Sequence, residues 1–234
     1  DILRKKGQKV AAKRADRDAT EGAVIAKTNG ADKGAVIKLS CETDFVAKNE
    51  DFVALANKIA DIALTSGVAT AEELGAVEFE GGLTVAAKLQ EQTGVIGEKI
   101  EVAEMATVSA PYVASYIHMG NKIGTLVGLT AEAAEAGRDV AMQAAAMNPV
   151  ALNRDAVPQE VIDRELEVGK DLARQEGKPE AMLDKIAAGR LNKFFKENTL
   201  VDQDFIKDSK LSVSKYLTSV EAGLAVVDFK RVSL

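Results

Sequence analysis

Reactive side chains are what this 234-residue sequence has least of. It holds one cysteine and one histidine, so no internal disulfide can form, and neither a histidine-rich nor a cysteine-based zinc site can be assembled. A lone thiol fits a reducing compartment. Tryptophan is absent and aromatics make up only 4% of the chain, so the core has to be packed from Ala, Val, Leu and Ile. No run approaches the roughly 18 apolar residues of a membrane span, and no signal-peptide pattern is read at the start. Phosphate-cradling loops are missing too, because Gly94-Val95-Ile96-Gly97 and Gly81-Gly82 lack the spacing of nucleotide-binding motifs. Carboxylates are so plentiful that chance pairs carry no weight. These absences point to a soluble, cytoplasmic protein that is not an enzyme and holds no cofactor and no metal.

The charge that is present is uneven. A formal net charge of −6 argues against general nucleic-acid binding, which needs a basic footprint. Yet Arg4, Lys5, Lys6, Lys9, Lys13, Arg14 and Arg17 crowd the start of the chain. This basic head reads as a solvated connector, with contact to RNA or an acidic partner as the other reading. Asp1-Ile2-Leu3-Arg4-Lys5-Lys6 reads as a helix end closed by Gly7. No Met opens the chain, and a fragment is expected.

From Gly22 onward the pattern is that of an α+β protein. Ala23–Thr28 and Ala35–Cys41 flank a turn rich in Gly, Asn and Asp, the mark of a hairpin. Residues 50–64 carry Phe52, Leu55, Ala56, Ile59 and Ala60 at helical spacing, with Asn49 suited to the N-cap. A helix over 84–92 ended by Gly94 and an alternating strand over 100–108 follow. A second hairpin, Tyr112–His118 and Ile123–Leu129, precedes a loop at 130–137 and a helix from Arg138 to Met147. Strand, turn, strand, loop, helix thus occurs twice, which suggests an internal duplication. Residues 20–108 and 109–234 are expected to form two related subdomains, each an antiparallel sheet packed by helices, after a connector at 1–19. Two apolar-striped helices around Gly177-Lys178-Pro179 read as an antiparallel hairpin inserted at 158–197. Asp208–Thr218 reads as a short capped helix and Ala222–Val232 as a closing strand.

Between the first hairpin and its helix lies Thr43-Asp44-Phe45-Val46-Ala47-Lys48-Asn49. Local pattern leaves two readings open. In one, Phe45 folds back onto the core, Asp44 caps and Lys48 is solvated. In the other, an acid, a ring and a base are displayed at a strand-to-helix junction, where a plain turn would more often use Gly, Pro or Ser. The parallel loop at 130–137 has no aromatic residue, so the first copy is the better candidate for recognition. His118 ends a strand with no nucleophile nearby and favours a structural or interface role over acid–base work. Cys41 reads as a small buried hydrophobe.

Cys41-Glu42-Thr43-Asp44-Phe45-Val46-Ala47-Lys48-Asn49 resembles the signature loop of the elongation factor Ts family, and the resemblance extends along essentially the whole chain. It implies a guanine-nucleotide exchange factor for the translational GTPase elongation factor Tu, meeting it in the GDP-bound and nucleotide-free forms. It implies no membrane and no direct nucleic acid, and leaves the homo-oligomeric state open. Asp44 and Phe45 would be the intruding pair, framed by Thr43, Val46, Ala47, Lys48 and Asn49, while His118, Met119 and Gly120 match a second contact region. In this family a small helical domain precedes a connector like Leu3–Ala15, and its motifs are absent here. An RNA- or ribosome-associated binding module and an oligomerising scaffold are the rival functions. Neither accounts for a displayed acid–aromatic pair.

Overall fold

Helix α1 (Ile2–Arg14) runs through Gly7, where the sequence pattern ends it. The computed structural model describes residues 2–234, without the side chains of Leu3 and Arg4. Asp1, expected in this helix, lies outside the described residues. Strands β1 (Glu21–Thr28) and β2 (Lys33–Cys41) form the expected hairpin, antiparallel with Glu21 opposite Cys41 and Thr28 opposite Gly34. Asn29 closes its turn, its side-chain oxygen accepting the N–H groups of Ala31 and Lys33 at 3.0 Å each. Then come a one-turn helix α2 (Asp44–Ala47), the long α3 (Glu50–Ser66), short α4 (Ala71–Ala76), a small ribbon of β3 (Glu78–Glu80) and β4 (Leu83–Thr84), α5 (Val85–Ile96) and β5 (Glu101–Ser109). Strand β5 pairs antiparallel with β2, leaving β2 central, with a bulge between Lys38 and Leu39.

This sheet is covered on both faces, which is why Ala23–Ala26 and Ala35–Ile37 read as unbroken apolar runs. Ala23, Ile25, Ile37, Leu39 and Cys41 pack with Phe52, Leu55, Ala56 and Ile59 of α3. From the other face Val24, Ala26 and Val36 meet a second sheet. Helix α5 passes through Gly94, the expected stop, and ends at Gly97, whose φ of 82° is left-handed. Gly7 and Gly94 serve close approach instead. A Cβ on Gly7 would stand 2.5 Å from the Gln90 carbonyl oxygen, and one on Gly94 would stand 2.6 Å from the Gly7 Cα. Bare backbones are what let α1 and α5 cross.

The second hairpin, β6 (Tyr112–Ile117) and β7 (Ile123–Leu129), is as expected. Helix α6 (Ala134–Met147) begins inside the stretch that reads as a loop. Beyond it α7 (Gln159–Gln175) and α8 (Leu183–Asn198) pack against each other, tightly enough that a Cβ on Gly169 would lie 3.2 Å from the Ala187 Cα. The ion pair Lys170–Asp184 links the two helices, while Arg190–Glu176 and Arg174–Glu180 tie α8 and α7 to the segment that connects them. The expected helix at 208–218 is half strand: β8 (Asp204–Phe205) pairs with β9 (Asp208–Ser212), and α9 (Val213–Val220) starts only at the Ser212 cap. The closing strand β10 (Val226–Ser233) starts later than the pattern suggests and completes a sheet in the order β10-β7-β6.

Packing gathers the chain into two compact units. One comprises the residues up to Ala145 with Val227–Leu234, and the other Ala146–Val226. This partition is of a different kind from the division into 20–108 and 109–234 expected from the sequence. The architecture is α+β, with small antiparallel sheets covered by helices.

Candidate functional site

The stretch after β2 is built from two helix caps placed close together. Thr43 is extended (φ −123°, ψ 153°), and its hydroxyl accepts the Val46 N–H at 3.4 Å. Backbone bonds from Ala47 N to the Thr43 carbonyl (3.2 Å) and from Lys48 N to the Asp44 carbonyl (3.1 Å) close the single turn of α2. Asn49 then restarts the chain as N-cap of α3, accepting from Asp51 N at 2.8 Å and Phe52 N at 3.4 Å. The stretch is therefore a capped turn, not a plain loop. One turn of helix is not stable by itself, so tertiary contacts hold it. Val46 and Ala47 face inward onto the first core.

Phe45 points the other way and is 84% exposed. The reading in which it folds onto the core is excluded, and Thr43, not Asp44, is the cap. Lys48 is not simply solvated either, since its ammonium donates to the Asp44 carboxylate at 2.7 Å. That hydrogen bond and the paired charge lower the Asp44 pKa and raise that of Lys48. A hollow of about 380 Å³ lies beside the ring, walled by Val46, Phe52, Val95 and Ile96.

Behind the turn sits a group of residues that sequence reasoning misses. Glu98 follows the left-handed Gly97 and reaches back to the β2 end. One carboxylate oxygen accepts the N–H groups of Glu42 and Thr43 at 3.0 Å each, and the other accepts the Thr43 hydroxyl at 2.6 Å. Glu42 answers by accepting the Lys99 N–H at 2.7 Å. Arg14 of α1 donates to both oxygens of Glu42 at 2.8 and 2.9 Å. The Lys99 bond first, and then Arg14, holds the Glu42 carboxyl below the usual carboxylate range. Cys41 is buried as expected, and its thiol donates to the Thr43 carbonyl at 3.2 Å. Burial, with the Glu98 charge second, pushes its pKa up to about 12. The only local cue to Glu98 is an acid after a helix-ending glycine. Its partners are 55 and 56 residues away.

The other expected contact region is the turn between β6 and β7. His118 is extended and precedes a 3-10 turn at Met119–Asn121 in which Gly120 (φ 73°) and Asn121 (φ 55°) are left-handed. Its ring nitrogen Nδ1 lies 3.2 Å from the Tyr116 hydroxyl, and its N–H donates to the Ile123 carbonyl at 2.8 Å. Met119 is 82% exposed. Both this turn and α2 lie against β1. A Cβ on Gly124, at the start of β7, would meet Val24, Val36 and Ala26, and α2 hangs from Cys41, opposite Glu21. The two expected regions therefore both rest on β1, each presenting one large apolar side chain. Among the described residues no group of three or more His, Cys, Asp or Glu is placed to hold a metal ion, and no helix is long and apolar enough to cross a membrane.

The family model described as "Elongation factor TS" matches residues 42–234. Elongation factor Ts of Christiangramia forsetii is 58% identical over 238 residues, covering 100% of this chain and 86% of that protein. The protein of the same name from Flavobacterium psychrophilum is 54% identical, covering 99% and 85%. That of Kineococcus radiotolerans is 43% identical, covering 99% and 84%.

Proposed function

Because the chain belongs to the elongation factor Ts family, we propose that it binds elongation factor Tu and accelerates GDP release, with Phe45 and Asp44 as the intruding pair. One observation carries this reading: Phe45 stands 84% exposed on a turn whose next two residues, Val46 and Ala47, are half-buried against the core. A single exposed apolar residue needs no explanation. A ring held outward on a turn capped at both ends does.

An exchange factor does not transform its ligand. It binds the nucleotide-free GTPase better than the GDP-bound form, and by linkage it weakens GDP by the same factor. Shifting a two-state balance from 1:99 to 99:1 takes about 5.5 kcal/mol of differential contact. Fully burying one large apolar side chain supplies about 1.5–3 kcal/mol. Phe45 alone falls short, and two such contacts come close to the requirement. The exposed Met119, on the other turn that rests on β1, is the natural second. His118 and Gly120 frame it, as Thr43, Val46, Ala47, Lys48 and Asn49 frame the ring. Asp44 adds a carboxylate that perturbs the Mg²⁺ and phosphate surroundings, where the ion's charge dominates. Its pairing with Lys48 is exposed and therefore weak enough to be exchanged for a partner's groups. The helical hairpin and the C-terminal half, residues 109–234, grip the GTPase elsewhere.

The test is release of fluorescent GDP from purified elongation factor Tu at fixed Mg²⁺. Acceleration by substoichiometric protein, lowered about 100-fold in Phe45→Ala, supports the reading and assigns it to this turn. Equal rates for parent and variant would remove the wedge. Binding without acceleration would make the chain an adaptor.

A further inference from the structure

We propose that Glu98 is the positioning residue of the exchange turn, fixing the direction in which Phe45 is presented through its three hydrogen bonds to Glu42 and Thr43. The proposal rests on the exchange reading above. Glu98 belongs to neither turn, and nothing in that reading gives it a task.

The geometry singles it out. Thr43 is the N-cap from which α2 departs, and Glu98 holds both its N–H (3.0 Å) and its hydroxyl (2.6 Å) while also taking the Glu42 N–H (3.0 Å). Phe45 is only two residues further on, so a rotation at Thr43 is carried directly into the ring. A helix of one turn has no stiffness of its own to resist this. The anchor is itself well seated. Gly97, left-handed at φ 82° with its N–H bonded to the Thr93 carbonyl at 2.9 Å, turns the chain out of α5 and aims the next residue back at β2. The clasp is reciprocal, since the Glu42 carboxylate takes the Lys99 N–H at 2.7 Å. Arg14 draws α1 in by bonding Glu42 alone. Of Glu98, Lys99 and Arg14, Glu98 is the one that bonds the cap residue itself. Without it two backbone N–H groups and a hydroxyl lose their acceptor, the turn samples several directions, and only the fraction with the ring correctly aimed is competent.

What Glu98 contributes on this account is reach and acceptor geometry, not charge, and substitution separates the two. Glu98→Gln keeps the length. Its amide oxygen can accept both N–H groups while its NH₂ donates to the Thr43 hydroxyl. Glu98→Asp keeps the charge and is one methylene too short. GDP release from elongation factor Tu is measured for each variant alone and combined with Phe45→Ala, with thermal unfolding alongside. Glu98→Asp and Glu98→Ala are expected to lose exchange about tenfold, since misplacement by about an ångström is costly in rate, with Glu98→Gln within about twofold of the parent. In the Phe45→Ala background the further loss should be under about twofold, because the residue acts through the ring. A loss of equal size in both backgrounds overturns the proposal, as does an active Asp variant beside an inactive Gln variant. Should Glu98→Ala fail to fold, the Gln and Asp pair still decides. If all Glu98 variants match the parent while Phe45→Ala is strongly slowed, positioning is refuted and the exchange reading stands. If Phe45→Ala is itself as fast as the parent, both are refuted.

Discussion

Between β2 and α3 the chain uses residues 42–49 and builds a separate capped turn, whereas between β7 and α6 it passes through residues 130–133 alone. The topological place is the same, a hairpin strand handing over to a helix. In the first, two caps and the Glu98 clasp stiffen the connection from behind, and the ring it carries faces solvent. In the second, no ring is carried and the helix sinks at once. Ala136, Val140, Ala141 and Ala144 are buried, and the Thr125 hydroxyl donates to the Ala141 carbonyl at 2.7 Å. A Cβ on Gly137 would stand 2.7 Å from the Ala114 Cβ. One handover is built for presentation and the other for packing. In the first, what holds the turn does not include the residue it presents.

Substitutions should therefore divide cleanly between the two. The largest effect is expected from Phe45→Ala, which should lower exchange by about 100-fold, in line with the loss of one central anchor. Its thermal unfolding should stay within about 0.5 kcal/mol of the parent, as for other exposed sites. Glu132→Ala in the other connection should change neither readout. Gly137→Ala should do the reverse of Phe45→Ala. Forcing a methyl into that contact is expected to cost about 1–3 kcal/mol in urea unfolding, while exchange per folded molecule is unchanged. If Gly137→Ala slowed exchange as strongly as Phe45→Ala, the division would fail.

Smaller effects sharpen the contrast. Asn49→Ala removes the cap that separates α2 from α3 and should cost about 1 kcal/mol by denaturant titration, together with a partial loss of exchange. Acid should reach the first handover before the second. The Glu42 carboxyl titrates lower folded than unfolded, so its stabilisation is present above the unfolded value of about 4.3 and is lost as pH falls through the lower folded value. Amide exchange at residues 42–49 should therefore rise on acidification below that range, ahead of residues 130–133. In Glu42→Gln this acid step should disappear.

Both hairpins, α3 with its Asn49 cap, and the two helices around Gly177 are legible in the sequence because each is specified by neighbours a few residues apart. What is not legible is long-range. A glycine that ends a helix and one that lets two helices touch look alike in one dimension. Gly7 and Gly94 are of the second kind, and neither has a positive φ. Asp208–Ser212 becomes a strand only because Asp204–Phe205 lies beside it. Of the candidate site, the stretch 43–49 stands out by content, whereas the turn at 118–120 is marked as a contact region by the family resemblance alone. The orientation of Phe45 does not stand out, because it is set by Glu98 across the fold, and one carboxylate among 36 acidic residues carries no mark.

The position of β10 also bears on how the molecule comes into being. The strand neighbours β7 in its sheet, and Lys38 of β2 donates to the Ser233 carbonyl at 3.2 Å, yet the stretch Ala146–Val226 is strung between β7 and the end of the chain. A ribosome delivering about 5–20 residues per second would need roughly 4–16 s to traverse that stretch. For that interval β7 waits with one edge open while the intervening unit emerges and folds. The first unit to begin is the last to close, so slow codons within 146–226 should lengthen the life of an exposed strand edge, the state most open to mispairing with another nascent chain.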